Sequence, residues 1–470
     1  MNNKSIVFSS DGIRGVVKKW PMTKEGIFTL GKALGSFLLS SAEDPTVILG
    51  RDTRPSGEEF SNYLKTVLSS FGVKVLDLGI APTPTVAYIT KKYSASLGII
   101  ITASHNPPKY NGIKLVDSAG LRLRENAEKS IAGYALKPLA SSISSTYQPE
   151  DAEKLRDEYI DDQISYLGPG SLTGMRILID CSNGAVAVTA KLILERLGAI
   201  VTAINDNVTK PNEINNHCGS EQVREKPKDF INTVKDANAE YGFAFDGDGD
   251  RVVIVDRYGN YYNGDDILFV LASFYLSLNQ LPKKTIVTTN SANTALEEQL
   301  RKKDIRTYKV KAGDKNLEDA IWNQELRLGG EQVGNIIIND THHGAADSLY
   351  ATALLCKIFS SYRTDFYQMT KDFSKYPQVL VSIPNDKKHT QQSIEDLLTK
   401  TIKRELGVSE IHYSHWNSTT EPGIINIMLE GIGNVTLGTV NKIASEIIGQ
   451  TILPSSKPYR FIDTSSRKRL

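Results

Sequence analysis

Three aspartates alternate with glycines in the stretch FDGDGDR, residues 245 to 251. In an extended loop this spacing turns Asp246, Asp248 and Asp250 to one side, and the glycines allow the backbone angles of a tight turn. Three carboxylates suit a hard cation such as Mg²⁺ that keeps coordination positions open for a phosphate. The stretch therefore predicts a metal site, with Arg251 placed to contact a phosphate beside the metal.

Two other interpretations of the acidic stretch remain open. A calcium EF-hand loop also begins with alternating aspartates, but it has glycine at its sixth position and glutamate at its twelfth. This chain has Arg251 and Arg257 at those positions. The stretch also fits a solvated acidic turn, in which Arg251 forms an exposed ion pair, because Asp-Gly repeats are common in turns. The apolar run Phe-Ala-Phe before it favours a buried strand that ends at a site.

A single serine follows an apolar strand in ITASHNPPKYNGIKL, residues 101 to 115. The Asn-Pro-Pro break predicts that Ser104 leaves the strand on a loop, where a serine is either a loop cap or a nucleophile. Lys114 either lies on the surface or serves the site, by neutralising charge or by moving a proton if nearby cations lower its pKa. His105 either orients the loop or is a structural histidine. A cation, an arginine and a loop serine together indicate phosphoryl transfer.

The sequence also predicts the elements that bring these loops together. A strand, a helix and a second strand recur three times, beginning with the runs TVILG, RILID and TIVTT. Each time a further apolar strand then runs into a loop, in SLGIIITASHN, YGFAFDGDGD and LRLGGEQVGN. Because ligands of α/β sheets bind beyond the carboxyl ends of the strands, we expect the three loops to converge on one cleft.

The predicted fold class is α/β, with three similar mixed α/β domains and a smaller C-terminal α+β domain. The 470 residues allow two to four domains of about 100 to 150 residues each. The predicted bounds are 1–150 for the domain with the serine loop, 151–256 for the acidic loop, 257–372 for the third loop and 373–470 for the small domain. Candidate linkers are the serine-rich segment 138–151 and the segment SKYPQ near residue 376.

Composition excludes several classes of protein. The net charge of +1 and the hydrophobic content of 40% argue against a disordered chain and against nucleic acid as a partner. No stretch reaches the roughly 18 apolar residues of a membrane span, and the N-terminus lacks a signal-peptide core. Three widely spaced cysteines without a CxxC pair predict a reducing, cytoplasmic location and no structural zinc. The GxxxxGK[ST], GxSxG and HExxH motifs are absent from the sequence.

These motifs resemble those of the α-D-phosphohexomutase family, and within it those of the bacterial phosphoglucosamine mutases most closely. The resemblance spans nearly the whole chain, and TASHNP together with DGDGDR is its most specific part. The motifs that carry it are SSDGIRG, LGRDTRPSG, APTPTVAY, ITASHNPPKYNGIKL, INNHCGS, FAFDGDGDR, KAGDK, LGGEQVGN and STTEP.

The resemblance implies a four-domain, heart-shaped enzyme that acts on small sugar phosphates. In such an enzyme Ser104 is phosphorylated in the working state, and Mg²⁺ sits between this serine and the three aspartates. The serine gives its phosphate to a hexose or hexosamine phosphate, a bisphosphorylated sugar turns over, and the serine takes back the other phosphate. The 6-phosphate and the 1-phosphate of the sugar are thereby interconverted. The family also places the residues matching Arg14 and Lys114 by the phosphoserine, with the lysine as a candidate proton carrier.

The chain departs from the family pattern in the loop that binds the sugar. The family loop GGE-x-SGH corresponds here to Gly-Gly-Glu-Gln-Val-Gly-Asn. Glu331 is retained as a sugar ligand, whereas Val333 replaces a serine and Asn335 replaces a histidine. A valine cannot bond a hydroxyl, and an asparagine does not titrate near neutrality.

A second departure lies in the loop that binds the distal phosphate. The family motif R-x-SGTEP corresponds to WNSTTEP, so that Trp416 replaces an arginine and Ser418, Thr419 and Thr420 are the remaining phosphate ligands. Neutral donors bind phosphate more weakly than a charged fork, so we expect weak distal binding unless other cations compensate. Cations near the loop are His412, His415, Lys457 and Arg460. The alternative functions are a phosphatase-like or altered-substrate enzyme and a noncatalytic phosphosugar-binding protein.

Overall fold

The structure of the chain is a computed structural model. It describes residues 5–9, 12–136, 148–340, 344–384, 391–406, 411–417, 424–451 and 460–466. Four β-sheets lie in this part of the chain. We name the units built on them domains 1 to 4. Their sheets extend domain 1 to residue 151 and domain 2 to residue 262, past the predicted boundaries at 150 and 256. Within the described residues, no helix is long and apolar enough to cross a membrane.

Domain 1 is built on a mixed six-stranded sheet in the order β1-β5-β4-β2-β3-β6. Helices cover both of its faces, because two separate apolar clusters contain its core residues. Its elements are β1 (Ile13–Val16), α1 (Lys24–Ser41), β2 (Thr46–Arg51), α2 (Gly57–Ser70), β3 (Lys74–Ile80), α3 (Thr83–Lys92), β4 (Leu97–Ile101), β5 (Tyr110–Val116), α4 (Glu125–Leu136) and β6 (Glu150–Asp151).

Domain 2 has a five-stranded sheet in the order β11-β10-β9-β7-β8. Its elements are α5 (Leu155–Leu167), β7 (Arg176–Asp180), α6 (Ala190–Arg196), β8 (Ile200–Ile204), α7 (Gly219–Glu225), α8 (Pro227–Asp236), β9 (Tyr241–Phe245), β10 (Val252–Asp256) and β11 (Tyr261–Tyr262). Short 3₁₀ helices add Ala185–Val188 and Pro211–Glu213.

Domain 3 has a four-stranded sheet in the order β13-β12-β14-β15. Its elements are α9 (Gly264–Ser277), β12 (Thr285–Thr289), α10 (Thr294–Lys302), β13 (Arg306–Val310), α11 (Asp314–Asn323), β14 (Leu328–Gly330), β15 (Ile336–Ile338), α12 (Ser348–Tyr362) and α13 (Phe366–Thr370). A 3₁₀ turn, Pro282–Lys284, precedes β12.

The first three domains repeat one topology. In each, a central strand (β2, β7 or β12) pairs in parallel with the next two strands of the unit. A fourth strand (β5, β10 or β15) then returns antiparallel to the third. The predicted three-fold repeat is therefore confirmed. The serine loop, the acidic loop and the third loop all connect the third strand of a unit to the fourth, so they occupy equivalent positions.

Apolar strands covered by helices on both sides explain why the site loops start at fixed points. All five residues of β4, of β9 and of β10 are buried. A sheet packed between helix layers favours such continuous Val, Ile and Phe runs over an alternating pattern. The polar loops begin where the apolar run ends, although their first residues are still buried, and this sets the position of the site at one edge of each sheet.

Domain 4 is an antiparallel sheet, β17-β18-β16-β19, with two helices on one face. The sequence predicts two of its strands, in YPQVLVSIP and IINIMLEG, and both helices, in QQSIEDLLTKTIKREL and NKIASEIIGQ, but it does not predict β17 and β19. The missed strands lie at the edges of the sheet, where one side of the backbone is unpaired and the sequence signal is weak. The elements are β16 (Gln378–Pro384), α14 (Gln391–Leu406), β17 (Ile411–Asn417), β18 (Ile424–Gly431), α15 (Leu437–Thr451) and β19 (Arg460–Asp463).

Buried polar contacts join domain 4 to domain 3. Lys375 Nζ donates to Asp266 Oδ2 at 2.6 Å, and both side chains are almost fully buried. The main chain of Tyr376 exchanges two hydrogen bonds with the side chain of Asn293. The Glu430 carboxylate accepts hydrogen bonds from the backbone and hydroxyl of Thr294. The start of domain 4 is therefore held against α9 and α10 by buried and partly buried polar groups.

Two carboxyls in this junction should make stability depend on pH. Burial raises the pKa of Glu430 to about 7, with Asp265 adding to the shift and Lys309 opposing it. Burial raises the pKa of Asp265 to about 6, opposed by Lys375 and reinforced by Asp266. Because both values exceed those of the unfolded chain, ionisation destabilises the fold progressively as pH rises from about 4 to about 7. We expect the melting temperature of Glu430→Gln to exceed that of the wild type by a margin that grows from pH 5 to pH 8.

Differential scanning fluorimetry of the two proteins between pH 5 and pH 8 measures this difference. Glu325→Gln is the matched control, since the Glu325 side chain is 86% exposed and should show no such trend. A difference between Glu430→Gln and the wild type that stays constant with pH would contradict the assignment.

Candidate active site

Ser104 lies in the serine loop of domain 1 and is almost fully buried. It follows β4 with a left-handed φ of 49°, which is uncommon for a residue with a side chain. Its Oγ donates a hydrogen bond to Asp246 Oδ2 at 2.6 Å and lies 3.3 Å from His105 Nδ1. The serine of domain 1 and the acidic loop of domain 2 are thus in direct contact, as the sequence predicts.

Arg54 holds the serine loop in this conformation. Its guanidinium donates to four main-chain carbonyl oxygens between 2.7 and 3.0 Å, which belong to residues 104, 106, 107 and 110. Its Nε pairs with Asp52 Oδ2 at 2.9 Å, and Asp52 also accepts from Thr102 Oγ1. Both charged side chains have no exposed surface. A buried arginine therefore satisfies the carbonyl groups that a non-regular loop would otherwise leave without partners.

Domain 2 contacts the same loop from the other side. Asn215 Nδ2 donates to the carbonyl oxygens of Ser104 and Asn106 at 2.8 and 3.1 Å. A side-chain carbon at Gly247 would lie only 2.9 Å from the Ser104 carbonyl oxygen. The glycines of the acidic stretch thus allow the two loops to approach each other closely.

The acidic loop is held by all three α/β domains. Thr83, at the start of α3 in domain 1, donates from its hydroxyl to Asp248 Oδ2 at 2.6 Å and from its backbone to Asp248 O at 2.8 Å. Ser348, at the start of α12 in domain 3, donates to Gly249 O at 2.6 Å. Within domain 2, Ala185 N donates to Gly247 O at 2.8 Å. The loop conformation is therefore fixed by tertiary contacts as well as by its glycines.

The three aspartates form a compact carboxylate cluster. One oxygen from each of Asp246, Asp248 and Asp250 lies within 4.8 Å of the others. Burial and the two neighbouring carboxylates raise the pKa of Asp246 well above its usual value. Burial alone would also raise the pKa of Asp248, but the charge and hydrogen bond of Lys114 outweigh it and hold that pKa below its usual range.

Lys114 belongs to this cluster and not to the surface. Its Nζ donates to Asp248 Oδ2 at 2.7 Å and to Asp250 Oδ2, and its side chain is 3% exposed. Burial alone would lower the pKa of Lys114, but Asp248 and Asp250 outweigh burial and raise it. The sequence allows a lowered pKa for Lys114 only on the condition that cations lie nearby. Two carboxylates lie next to Lys114 instead, and its pKa is raised.

The residues present fit a hard divalent cation. Asp248 Oδ1 and Asp250 Oδ1 are buried and accept no hydrogen bond from any described residue. A buried carboxylate oxygen without a donor is costly unless another positive group binds it. Two such oxygens beside Asp246, all hard ligands on one loop, are what a Mg²⁺-type ion requires.

The two arginines predicted near the site both lie at its border. Arg14 is the second residue of β1, and its Nη1 lies 3.4 Å from Asn106 Oδ1 in the serine loop. Its positive charge also acts on Asp248. Arg251 Nε lies 3.9 Å from Asp250 Oδ1, and the Arg251 side chain is 15% exposed. Both guanidinium groups therefore stand where a phosphate bound between the loops would meet them.

The third loop also reaches the acidic loop, so the predicted convergence is confirmed. Arg251 and Asn335 form an isolated antiparallel bridge, and Val252 N donates to Gly334 O at 3.1 Å. Glu331 is buried, and its Oε1 accepts from Gly313 N at 2.7 Å. Val333 is half-buried at the tip of the loop. Asn335 is 2% exposed, and its Oδ1 accepts no hydrogen bond from the described residues.

The phosphate loop predicted in domain 4 is only partly described. Ser418, Thr419 and Thr420 lie outside the described residues. Trp416 lies on β17, half-buried, and packs against an apolar cluster on the face of the sheet away from α14 and α15. This cluster consists of Leu380, Met428 and Ile462. The tryptophan therefore contributes apolar contact where an arginine would contribute charge.

Several residues of the site were not assigned a role from the sequence. They are Arg54, Thr83, Asn215 and Ser348. The first three lie in the motifs LGRDTRPSG, APTPTVAY and INNHCGS, which signalled the family but not the contacts. Polar residues in loops are usually exposed, and a single sequence does not reveal which of them fold inward.

Family models match three parts of the chain. Residues 5–139 match domain I of the phosphoglucomutase/phosphomannomutase family, residues 157–259 match domain II and residues 263–376 match domain III, each described as an alpha/beta/alpha domain. Among curated proteins, phosphoglucosamine mutase from Clostridium acetobutylicum is 35% identical over 455 residues, which cover 94% of this chain and 98% of the relative. Phosphoglucosamine mutase from Clostridium botulinum strain 657 is 35% identical over 436 residues, covering 90% and 94%.

Solved structures share the fold over nearly the whole chain. A phosphoglucomutase/phosphomannomutase family protein from Burkholderia thailandensis has a TM-score of 0.76 at 22% identity, covering 96% of this chain and 99% of that one. An N-acetylphosphoglucosamine mutase from Aspergillus fumigatus has a TM-score of 0.66 at 14% identity, covering 96% and 95%. The predicted class of enzyme, a phosphosugar mutase, is confirmed at this level. The chain belongs to the phosphoglucomutase/phosphomannomutase family, the α-D-phosphohexomutases.

Proposed function

We propose that the enzyme interconverts the 6-phosphate and the 1-phosphate of a hexosamine or hexose through a phosphoserine at Ser104. The observation that carries this proposal is the 2.6 Å contact between Ser104 Oγ and Asp246 within a cluster of three carboxylates. Its support from comparison is that the curated relatives are phosphoglucosamine mutases and that one solved neighbour is described in complex with glucose 1,6-bisphosphate. A hexosamine phosphate is the substrate we favour. A cytoplasmic location is part of the proposal and rests on the cysteine pattern.

The residues of the site have different roles in the proposed phosphoryl exchange. Asp246, Asp248 and Asp250 would hold Mg²⁺, which when bound neutralises charge on the transferring phosphoryl group. In the first transfer the bond between Ser104 Oγ and phosphorus breaks and a bond forms between phosphorus and the free sugar hydroxyl. The proton of that hydroxyl passes in net to Ser104 Oγ. Lys114, whose pKa Asp248 and Asp250 raise, is proposed to stay charged and to neutralise charge in the site. The second transfer runs in reverse with the other phosphate.

Fixed positioning is the main contribution of the protein in this mechanism. Phosphoryl transfer needs in-line geometry and surrounding positive charge more than it needs a strong base. Arg54 and Asn215 fix the serine loop, and Thr83 and Ser348 fix the acidic loop, so the nucleophile and the metal ligands need little rearrangement. Arg14 and Arg251 are the proposed phosphate contacts. Glu331 and Asn335 are the proposed sugar contacts, together with the apolar surface of Val333.

The test is an assay of the purified protein with Mg²⁺, a hexose bisphosphate activator and the 1-phosphates of glucosamine, mannose and glucose in turn. We expect 6-phosphate to form, fastest from glucosamine 1-phosphate, together with phosphorylation of Ser104 detected by mass spectrometry. No turnover of any of the three sugars would refute the mutase proposal. Turnover of a different sugar alone would refute only the hexosamine preference.

The metal assignment has its own expected result. Asp248→Asn keeps the shape of the side chain but removes one anionic ligand, so we expect both turnover and Mg²⁺ affinity to fall at least about tenfold. Affinity is measured without catalysis, from the Mg²⁺ dependence of the melting temperature. The exposed Asp236→Asn is the matched control and should change neither quantity. An Asp248→Asn protein with normal Mg²⁺ binding would show that the cluster is not the metal site.

Trp416 favours a second candidate function that uses the same serine. With apolar contact in place of an arginine, a bisphosphorylated sugar is held less firmly by domain 4. Water then competes with the sugar for the phosphoryl group on Ser104, which regenerates the serine hydroxyl and releases inorganic phosphate. The two functions can be distinguished by their products. A mutase gives isomerised sugar phosphate and no net phosphate release, whereas the phosphatase-like enzyme releases phosphate in proportion to turnover.

A further inference from the structure

The third loop is connected to domain 4 through one buried side chain. Gln332 lies between Glu331 and Val333 in that loop and is 4% exposed. Its Nε2 donates to Gln378 Oε1 at 2.6 Å, and Gln378 is the first residue of β16 in domain 4. The same nitrogen lies 3.1 Å from Asp265 Oδ2, at the start of α9. The side chain thus points away from the acidic loop and into the junction between domains.

Gln378 lies where the two chain segments that connect domain 4 to the junction contact each other. Its Oε1 also accepts from Thr464 Oγ1 at 2.7 Å, and its main-chain oxygen accepts from Thr464 N at 3.0 Å. Thr464 directly follows β19, and its own carbonyl oxygen accepts from Asn263 Nδ2 at 3.0 Å. The segment that enters domain 4 and the segment that follows its last strand therefore meet at the amide that Gln332 contacts.

Main-chain hydrogen bonds fix the position of Gln332 and of its neighbours in the third loop. Gln332 O accepts from Gly264 N at 3.0 Å, while Glu331 N and Glu331 O bond to Asn335 O and Gly334 N within the loop. A side-chain carbon at Gly264 would lie 1.8 Å from Glu331 O, so the loop and the start of α9 are in close contact. A loop of five residues fixed this tightly cannot shift at Gln332 without moving its neighbours Glu331 and Val333.

We propose that Gln332 is a positioning residue that ties the sugar-binding loop to domain 4, so that sugar binding and the position of domain 4 are coupled. The role of the loop in binding sugar rests on the proposed function. The coupling itself rests on the contacts of Gln332 with Gln378 and Asp265. In this arrangement a residue of domain 4 that never touches the sugar affects how well domain 3 binds it.

The test compares Gln332→Met, Gln378→Met and the double variant, because methionine keeps the length of the side chain and removes the amide. We expect each single variant to raise KM for the sugar phosphate roughly three- to tenfold, as for the loss of one buried hydrogen bond, with kcat changed less than twofold. The double variant should resemble either single variant, since both remove the same contact. The exposed Gln324→Met in domain 3 is the control and should leave KM unchanged.

A second measurement needs no substrate. Hydrogen exchange followed by mass spectrometry should show faster exchange of the amides at residues 331 to 335 in Gln378→Met, although the substitution lies in another domain. Unchanged exchange in this loop, or a Gln378→Met protein with wild-type KM, would overturn the proposal. Additive effects in the double variant would also overturn it, because they would mean that Gln332 and Gln378 affect sugar binding independently of each other. If the wild type turns over no sugar phosphate, the proposed function fails, and the exchange experiment still decides whether the loop and domain 4 are coupled.

Discussion

We expect Ser104→Ala to abolish turnover, by about 1,000-fold or more, and to abolish incorporation of phosphate into the protein. The variant removes the only atom of this residue that can carry a phosphoryl group, and no described residue places another hydroxyl against Asp246 Oδ2. The fold should survive, because alanine fits the same space and tolerates the loop about as well as serine. The measurements are the sugar phosphate assay, mass spectrometry of the intact protein and the melting temperature.

Two companion variants make this result specific. Ser130→Ala removes an exposed hydroxyl on α4 that bonds only to Asn126 O among the described contacts, and it should keep full activity. Ser104→Thr keeps the hydroxyl but places a β-branched residue at a φ of 49°, so we expect it to be strongly impaired as well. Turnover by Ser104→Ala would show that another group carries the phosphate.

The second large effect concerns stability and follows from Arg54. We expect Arg54→Lys to lower the free energy of unfolding by about 2–5 kcal/mol, because each buried carbonyl group left without a donor costs about 1–3 kcal/mol. A lysine has three donors in place of the five-donor fork, so carbonyl groups of the serine loop lose their partners and the pairing of Asp52 is weakened. Because the serine loop then loses its fixed position, turnover should fall as well. Denaturant unfolding followed by circular dichroism and the sugar phosphate assay measure the two effects.

The control for Arg54→Lys is the same change at a surface position. Arg257 pairs with Glu240 at 2.7 Å, but the two side chains are 47% and 24% exposed. Arg257→Lys should therefore change stability by less than about 0.5 kcal/mol. If Arg54→Lys were as mild as Arg257→Lys, the carbonyl groups of the serine loop would have to find other donors, and the role assigned to Arg54 would be wrong.

Much of the fold could be predicted from the sequence because it depends on local apolar runs. The strands before the serine loop and the acidic loop, β4 and β9, are buried apolar runs that end before Thr102 and Asp246, whereas the strand before the third loop, β14, is only Leu328–Gly330. The three-fold repeat follows from the same pattern at regular intervals. The edge strands β17 and β19 escaped prediction because they are short or polar, and Tyr413 and His415 on β17 give no clear alternation.

The candidate site, too, could be predicted from the sequence only in part. The residue types of Ser104, Asp246, Asp248 and Asp250 carry their chemistry wherever the loops meet, so spacing and motif were enough to propose them. Lys114 was ambiguous, because a lone lysine is usually exposed, and only the tertiary structure shows that it lies between two carboxylates. Val333 and Trp416 were recognised as departures, while the apolar packing of Trp416 became visible only in the sheet of domain 4.

The sequence by itself indicated the residues that we propose for the phosphoryl chemistry, and it predicted that three equivalent loops present them. These properties are local, since they depend on the residue types within short stretches and on the strands that precede them. Only the tertiary structure decided what holds the loops in place. Arg54 and Asn215 act across 50 and 111 residues of sequence on a backbone carbonyl group, which every residue carries, and Gln332 acts across 46 residues on the side-chain amide of Gln378. A backbone carbonyl has no sequence signature, so the partner of a buried polar side chain is known only when the chain is folded.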